Sequence, residues 1–190
     1  MEPVLEIAYG ADRTPAPGRL ELVQRFVNTV DFEHGREMLS DPDRLRSVLA
    51  GLGLLDANAS VTAADLRRAL AVREALRSLA LANNGGAVTR SELDLLEQAA
   101  AGGRLGVELG TAGDARLTAA APGVAGALGT LVGIVYTAMA DGTWSRLKAC
   151  QREVCHWLFY DHSRNHSARW CQMAVCGNRT KTRAYRARQR

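Results

Sequence analysis

No cysteine precedes Cys150 in the 190-residue chain, and no tryptophan precedes Trp144. Disulfides and thiolate metal ligation are thereby excluded from the larger part of the molecule. Histidine is almost as scarce. His34 is the only one ahead of the cysteines, and between Glu33 and Gly35 it reads as a surface residue rather than a catalyst. Nothing in the first 140 residues resembles a phosphate loop, a nucleophile with an adjacent base or a paired-carboxylate site, so the expectation is that the protein is not an enzyme. A long hydrophobic run is missing too. The most apolar stretch runs only from Val124 to Ala140 and is broken by Gly126, Gly129 and Gly133. A membrane span needs ~20 residues of stronger hydrophobicity, so this stretch is expected to be a buried core helix whose glycines allow close helix contact. Met1-Glu2-Pro3 opens without the basic and apolar regions of a signal peptide, and the expected compartment is the cytoplasm, without a membrane partner.

Acids are absent after Asp161, and this absence carries the most information. From Gly142 to Arg190 eleven Lys and Arg side chains face only Glu153 and Asp161, a net charge of +9, whereas positions 1–141 carry −5. So uneven a division points to an anionic partner for the basic end, usually nucleic acid and less often a membrane surface. The length suits a unit of ~140 residues with a small appendage. The expected division is 1–141 and 142–190.

The first part reads as mainly α with one small β hairpin. Val4 to Tyr9 suggests a short strand or an ordered lead-in. Leu20, Leu22, Val23, Phe26, Val27 and Val30 recur at helical spacing. Asp41-Pro42 begins a second helix as N-cap and first-turn proline, with Gly53 able to end it. Thr62 with Asp65, and Thr89 with Glu92, are capping pairs for two more helices. The first of these buries Leu66, Ala69, Leu70, Arg73, Leu76, Leu79 and Ala80 and stops at Asn83-Asn84-Gly85-Gly86; the second ends at Gly102-Gly103. Residues 105–109 and 115–119 alternate like two strands around a Gly113-Asp114 turn. Asn28 and Arg73 are polar residues on apolar helices. They are candidates for binding a small-molecule effector, with mutual or helix-end hydrogen bonds as the structural alternative. Dimerisation is a further expected use of this unit.

All four cysteines lie between positions 150 and 176, as Cys150-x4-Cys155, an x15 spacer and Cys171-x4-Cys176. Two close pairs can deliver four thiolates about 3.7 Å apart onto one tetrahedral ion with Zn–S bonds of ~2.3 Å. Disulfides or buried free thiols are the alternatives, and iron–sulfur ligation a third; a cytosolic chain favours zinc over disulfides. His156, His162 and His166 lie between the pairs, but four thiolates already fill the shell. A closed shell implies a structural ion, here Zn2+, worth ~10–16 kcal/mol to folding. On this reading the metal decides whether so short a segment folds, and Trp157 and Trp170 pack around it.

Beyond Cys176 the residues from Gly177 to Arg190 form helix readily. Arg179, Arg183, Arg186 and Arg190 make one stripe, flanked by Lys181 and Arg188. With no acid of its own the helix repels itself unless an anion is near. Arg164 and Arg169 extend the patch from the loop. Arginine outnumbers lysine nine to two in this region, and its planar fork suits phosphates and guanine edges. A solvated tail is the bland alternative. Double-stranded DNA is the expected partner; a protein-interaction module or an RNA-binding protein are the rival readings.

Arg146-Leu147-Lys148-Ala149-Cys150, then 155–161 (Cys-His-Trp-Leu-Phe-Tyr-Asp), Ser163-Arg164-Asn165, and Arg169-Trp170-Cys171 through Cys176-Gly177-Asn178-Arg179 densely resemble the CGNR zinc-finger family. Phe26-Val27-Asn28-Thr29 and 70–76 (Leu-Ala-Val-Arg-Glu-Ala-Leu) are similar to the ABATE domain that usually precedes this finger. The resemblance implies a stress-induced transcription regulator with a sensor or interaction domain ahead of a DNA-binding zinc finger. It adds Asn178, in the Cys-Gly-Asn-Arg run, to the candidate DNA contacts Arg164, Arg169, Arg179, Lys181, Arg183, Arg186 and Arg190. His162 and Ala168 depart from the pattern, standing where members often carry threonine and arginine.

Overall fold

The computed structural model describes residues 14–189, so Val4–Tyr9 and Arg190 lie outside the described residues. Each capping signal falls where a helix begins. α1 spans Leu20–Val27, and its core-facing residues Leu20, Val23, Phe26 and Val27 are buried. Val30 does not continue it. Asn28 closes the helix, and Val30–Asp31 (β1) turns back through Gly35, at φ +62°, to pair with Arg36–Glu37 (β2). α2, Pro42–Gly51, starts with the Asp41 carboxylate accepting the Arg44 amide at 2.9 Å. Reciprocal capping boxes start α3, Ala63–Ala82, at Thr62/Asp65 and α4, Arg90–Gly102, at Thr89/Glu92. β3, Leu105–Leu109, and β4, Ala115–Ala119, pair antiparallel from Leu105 opposite Ala119 to Leu109 opposite Ala115.

α5, Gly123–Ala140, is among the described residues the one helix long and apolar enough to cross a membrane, but it packs against α1, α3, α4 and the β3–β4 hairpin. Its glycines make that packing possible. A Cβ on Gly103, at the end of α4, would sit 2.6 Å from the Gly129 Cα, so two backbones touch where any side chain would separate them.

α3 is the central helix. It buries Ala69, Val72, Arg73, Ala75, Leu76, Arg77 and Ala80, while Leu66, Leu70 and Leu79 are only half-buried. The buried sector is rotated from the one the leucines mark, because α1, α4, α5 and the C-terminal hairpin press on α3 from different sides and Arg77 enters the interior with partners.

The C-terminal hairpin packs into the helical core. After a 3-10 turn at Trp144–Arg146, β5 (Leu147–Ala149) pairs with β6 (Leu158–Tyr160). Leu147, Ala149 and Leu158 are fully buried in the same cluster as Phe26, Leu76 and Leu128. Each buried leucine contributes roughly 1.5–3 kcal/mol, so the hairpin also draws stability from the helical core. Strands this short leave no alternation to read. A π turn at Met173–Gly177 leads into α6, Asn178–Arg188.

Candidate metal centre and cationic face

Two turns bring the cysteines together. Cys150 follows β5 directly, and its amide donates to Trp157 O at 3.0 Å. The chain turns so that the Cys155 and His156 amides both donate to Arg152 O, with His156 in the left-handed region at φ +45°. In the second turn the Cys176 amide donates to Gln172 O at 2.9 Å. A Cβ on Gly177 would displace the flexible Met173 side chain and lie 3.4 Å from the Trp170 ring.

The sulfurs of Cys155 and Cys171, and of Cys171 and Cys176, are 3.7 Å apart, and all four lie within 4.8 Å of one another. None is in a disulfide. A tetrahedral ion with metal–sulfur bonds of ~2.3 Å needs edges of about 3.8 Å, so the donors fit a single metal ion, and these residues form a metal site. Hydrogen bonds from the Cys155 and Cys171 thiols pull Cys150 down to about 4, whereas the neighbouring Cys150 and burial push Cys155 and Cys171 up. Four thiols this close cannot all ionise without a cation among them. Trp157, Trp170 and Val175 pack around the sulfurs. His156, His162 and His166 stay outside the cluster; His162 lies with Nε2 3.2 Å from Pro15 O, and the His156 ring meets Phe32 edge-on.

The loop between the turns is ordered by a buried ion pair that sequence reasoning missed. Lys148 Nζ donates to Asp161 Oδ2 at 2.8 Å and to His166 O at 2.6 Å. Asp161 also accepts from Ser163 N, Ser163 Oγ and Ala168 N. Burial opposes its charge, but the hydrogen bonds from Lys148 and Ser163 hold the carboxyl at about 2. At position 168 the backbone amide makes the contact, so alanine fulfils that structural part.

The candidate DNA contacts among the described residues are not equivalent. Arg164 and Arg169 are exposed on the loop; Arg179, Lys181, Arg183 and Arg186 are exposed on α6. Asn178 caps locally, donating to Ala174 O at 3.2 Å. α6 has no acid of its own, and other parts of the chain supply the anions near it. Arg179 donates to Glu33, in the β1–β2 turn, and Arg183 lies 3.7 Å from Glu153. Arg152, absent from the sequence-based set, donates to the other oxygen of Glu33 at 2.8 Å and lies 3.8 Å from the Cys176 sulfur. The Arg152 hydrogen bond and both guanidinium charges hold the Glu33 carboxyl below its ordinary range against the effect of burial. The only hint in the sequence was a base placed inside a Cys-x4-Cys turn.

Asn28 and Arg73 have structural work. Asn28 donates to Leu158 O at 2.9 Å and accepts from Leu158 N at 2.8 Å, so its amide completes the free edge of β6. Arg73 grips both oxygens of Glu37 at 2.7 Å and also donates to Glu74 and Thr29. They bond to these groups and not to each other. Two neighbours act in the same way. Arg77 donates to Val27 O and to His156 O, beside Cys155; Asn84 donates to Ala149 O and Arg169 O. An apolar cavity of about 880 Å3 lies elsewhere, between the β3–β4 hairpin, α5 and residues 17–20, walled by Leu105, Val107, Leu117 and Ile134 and reaching Asp141 and Thr143. Neither Asn28 nor Arg73 lines it.

A helical unit fused through a shared core to a four-cysteine turn pair and a basic helix defines a two-part zinc-finger architecture. Residues 146–189 match the profile of the CGNR zinc finger, and residues 20–142 match that of the ABATE family, described as "Putative stress-induced transcription regulator". The chain belongs to the ABATE family and carries a CGNR zinc finger behind that domain. A comparison with curated proteins finds no match.

Proposed function

We propose that the protein is a DNA-binding transcription regulator of the cytoplasm, with Zn2+ as a structural ion on Cys150, Cys155, Cys171 and Cys176, and with α6 as the element that meets duplex DNA. The observation that carries this reading is the seating of α6. It begins two positions after Cys176, so the metal cluster fixes where four exposed cationic side chains start. Four thiolates and one Zn2+ add −2, which leaves the +9 segment near +7. A shell of four sulfurs offers no open position for a substrate, which supports a structural ion and a protein that is not an enzyme.

Fluorescence anisotropy with a labelled duplex tests the proposal. If about five phosphates are contacted, log K falls with log salt at a slope near −4.5. Replacing Arg183 and Arg186 by alanine weakens binding and flattens the slope by about 1.8; an unchanged slope removes α6 from the interface. Retained metal without duplex affinity would instead favour a protein-interaction module. Preference for single-stranded RNA would favour the RNA-binding reading.

Responsiveness to a small-molecule effector is a further part of the proposal. The apolar cavity supports it, since its wall includes Thr143, beside the turn that enters β5. Thermal-shift screening should find a metabolite whose stabilisation is lost in Leu117→Trp, a cavity-wall position on the hairpin face that meets Gly133 of α5. No such compound would remove the sensor.

A further inference from the structure

We propose that Arg152 and Arg179 form a two-guanidinium seat for one backbone phosphate of DNA, and that Glu33 of the helical unit occupies this seat in the unbound protein. This deepens the DNA-binding reading above and rests on it.

The two arginines come from opposite turns of the metal cluster. Arg152 lies inside the first Cys-x4-Cys pair, and Arg179 stands three positions beyond the last cysteine. The metal site therefore fixes their separation, and the Arg152 Nη1 lies 3.8 Å from the Cys176 sulfur. Two guanidinium groups held this close repel each other unless an anion lies between them. In the structure that anion is a single carboxylate: Glu33 Oε2 accepts from Arg152 Nη1 at 2.8 Å, and Oε1 accepts from Arg179 Nη1. A phosphodiester presents the same pattern, two charged acceptor oxygens on one centre, to the planar donors that suit it.

The seat is open on the side where α6 lies. The Arg179 side chain is 57% exposed, against 18% for Arg152 and 24% for Glu33. The outer bond of the seat, Arg179 to Glu33, is solvent-screened and weak enough to exchange for a ligand, and a duplex gains counterion release when it takes the seat. Arg164, Arg169, Lys181 and Arg186, by contrast, have no carboxylate within ion-pair distance among the described residues.

Glu33 is held where it is by the helical unit. Its turn joins β1 to β2, β2 is anchored by the grip of Arg73 on Glu37, and neighbouring Phe32 lies under the Arg77 guanidinium at 4.9 Å and edge-on to His156. A shift of this turn changes how strongly Glu33 competes for the seat. The helical unit thus gains a direct route to DNA affinity through one carboxylate.

The test uses the full-length, zinc-loaded protein and a labelled duplex in an anisotropy salt series, with zinc content measured for every variant. Glu33→Gln should tighten binding about two- to fivefold, the range an exposed ion pair permits. Arg179→Gln and Arg152→Gln should each weaken binding and lower the salt slope by about 0.9. In the Arg179→Gln/Arg152→Gln background Glu33→Gln should then do little, because its partners are gone. Arg152→Lys, which keeps the charge beside Cys176, should recover part of the slope. Unchanged affinity in Glu33→Gln overturns the seat while DNA binding stands. Equal tightening with and without the two arginines also overturns it, since net charge alone would then explain the effect. If neither wild type nor Glu33→Gln binds duplex DNA, the DNA-binding reading itself fails and takes the seat with it.

Discussion

Asp161→Asn isolates the one buried ion pair that orders the finger. The Asp161 side chain is 1% exposed and the Lys148 side chain 7%. The carboxylate accepts four hydrogen bonds, from Lys148 Nζ, Ser163 N, Ser163 Oγ and Ala168 N, between 2.6 and 3.0 Å. Asparagine keeps one acceptor oxygen and turns an NH2 donor toward either the ammonium and the Ala168 amide or the Ser163 donors. Removing one partner of a buried pair costs about 3–5 kcal/mol, because the remaining charge stays desolvated. For a protein of this length each kcal/mol shifts Tm by about 2–4 °C, so the expected drop is roughly 6–20 °C. Circular dichroism melting of the zinc-loaded protein measures it, with metal content checked so that lost ion is not mistaken for a lost pair. Adding Lys148→Met should recover part of the loss, since the ammonium no longer faces a donor. A Tm within about 2 °C of wild type would refute the claim that this pair holds the loop.

Three further outcomes follow from the same geometry. The Asp161 carboxyl is depressed from 3.8 to about 2, so its contribution, on the order of 2 kcal/mol, is present above about pH 4 and lost as pH falls toward 2; the cost of Asp161→Asn should therefore be constant between pH 8 and 5, and a cost that shrinks over that interval contradicts it. Elemental analysis should find one zinc per chain, and chelation should abolish duplex binding while most of the far-ultraviolet helix signal persists, because α1 to α5 lie in the helical unit; complete unfolding on chelation would show that the shared core does not carry the helices. Asn28→Ala should cost about 1–3 kcal/mol by stripping the buried Leu158 amide of its partner and leaving Leu158 O only the 3.3 Å bond from Gln24, measurable as a lowered urea midpoint, whereas no loss of stability would place Asn28 back among the candidates for ligand binding.

Local chemistry was legible in the chain. Thr62/Asp65, Thr89/Glu92 and Asp41-Pro42 start helices because the residues that satisfy the first free amides are near neighbours in sequence. The hairpin at 105–119 was readable because alternation and a glycine turn coincide. The four cysteines announced a metal site by spacing alone, since few other arrangements place two thiol pairs so close. The charge division between the halves was likewise visible before any fold.

What tertiary structure alone decided was the partnership of distant residues. The sequence shows Asn28 and Arg73 as polar residues on apolar helices and Asn84 in a helix stop, but not that Asn28, Arg77 and Asn84 reach backbone groups of the finger, far along the chain. It shows Arg179 on an acid-free helix, but not that Glu33, near the other end of the molecule's sequence, bonds to it. Capping and ligand spacing are short-range and leave a local pattern. A hydrogen bond across the core depends on how whole helices pack, and packing is set by the sum of many side-chain volumes that no single stretch of sequence contains.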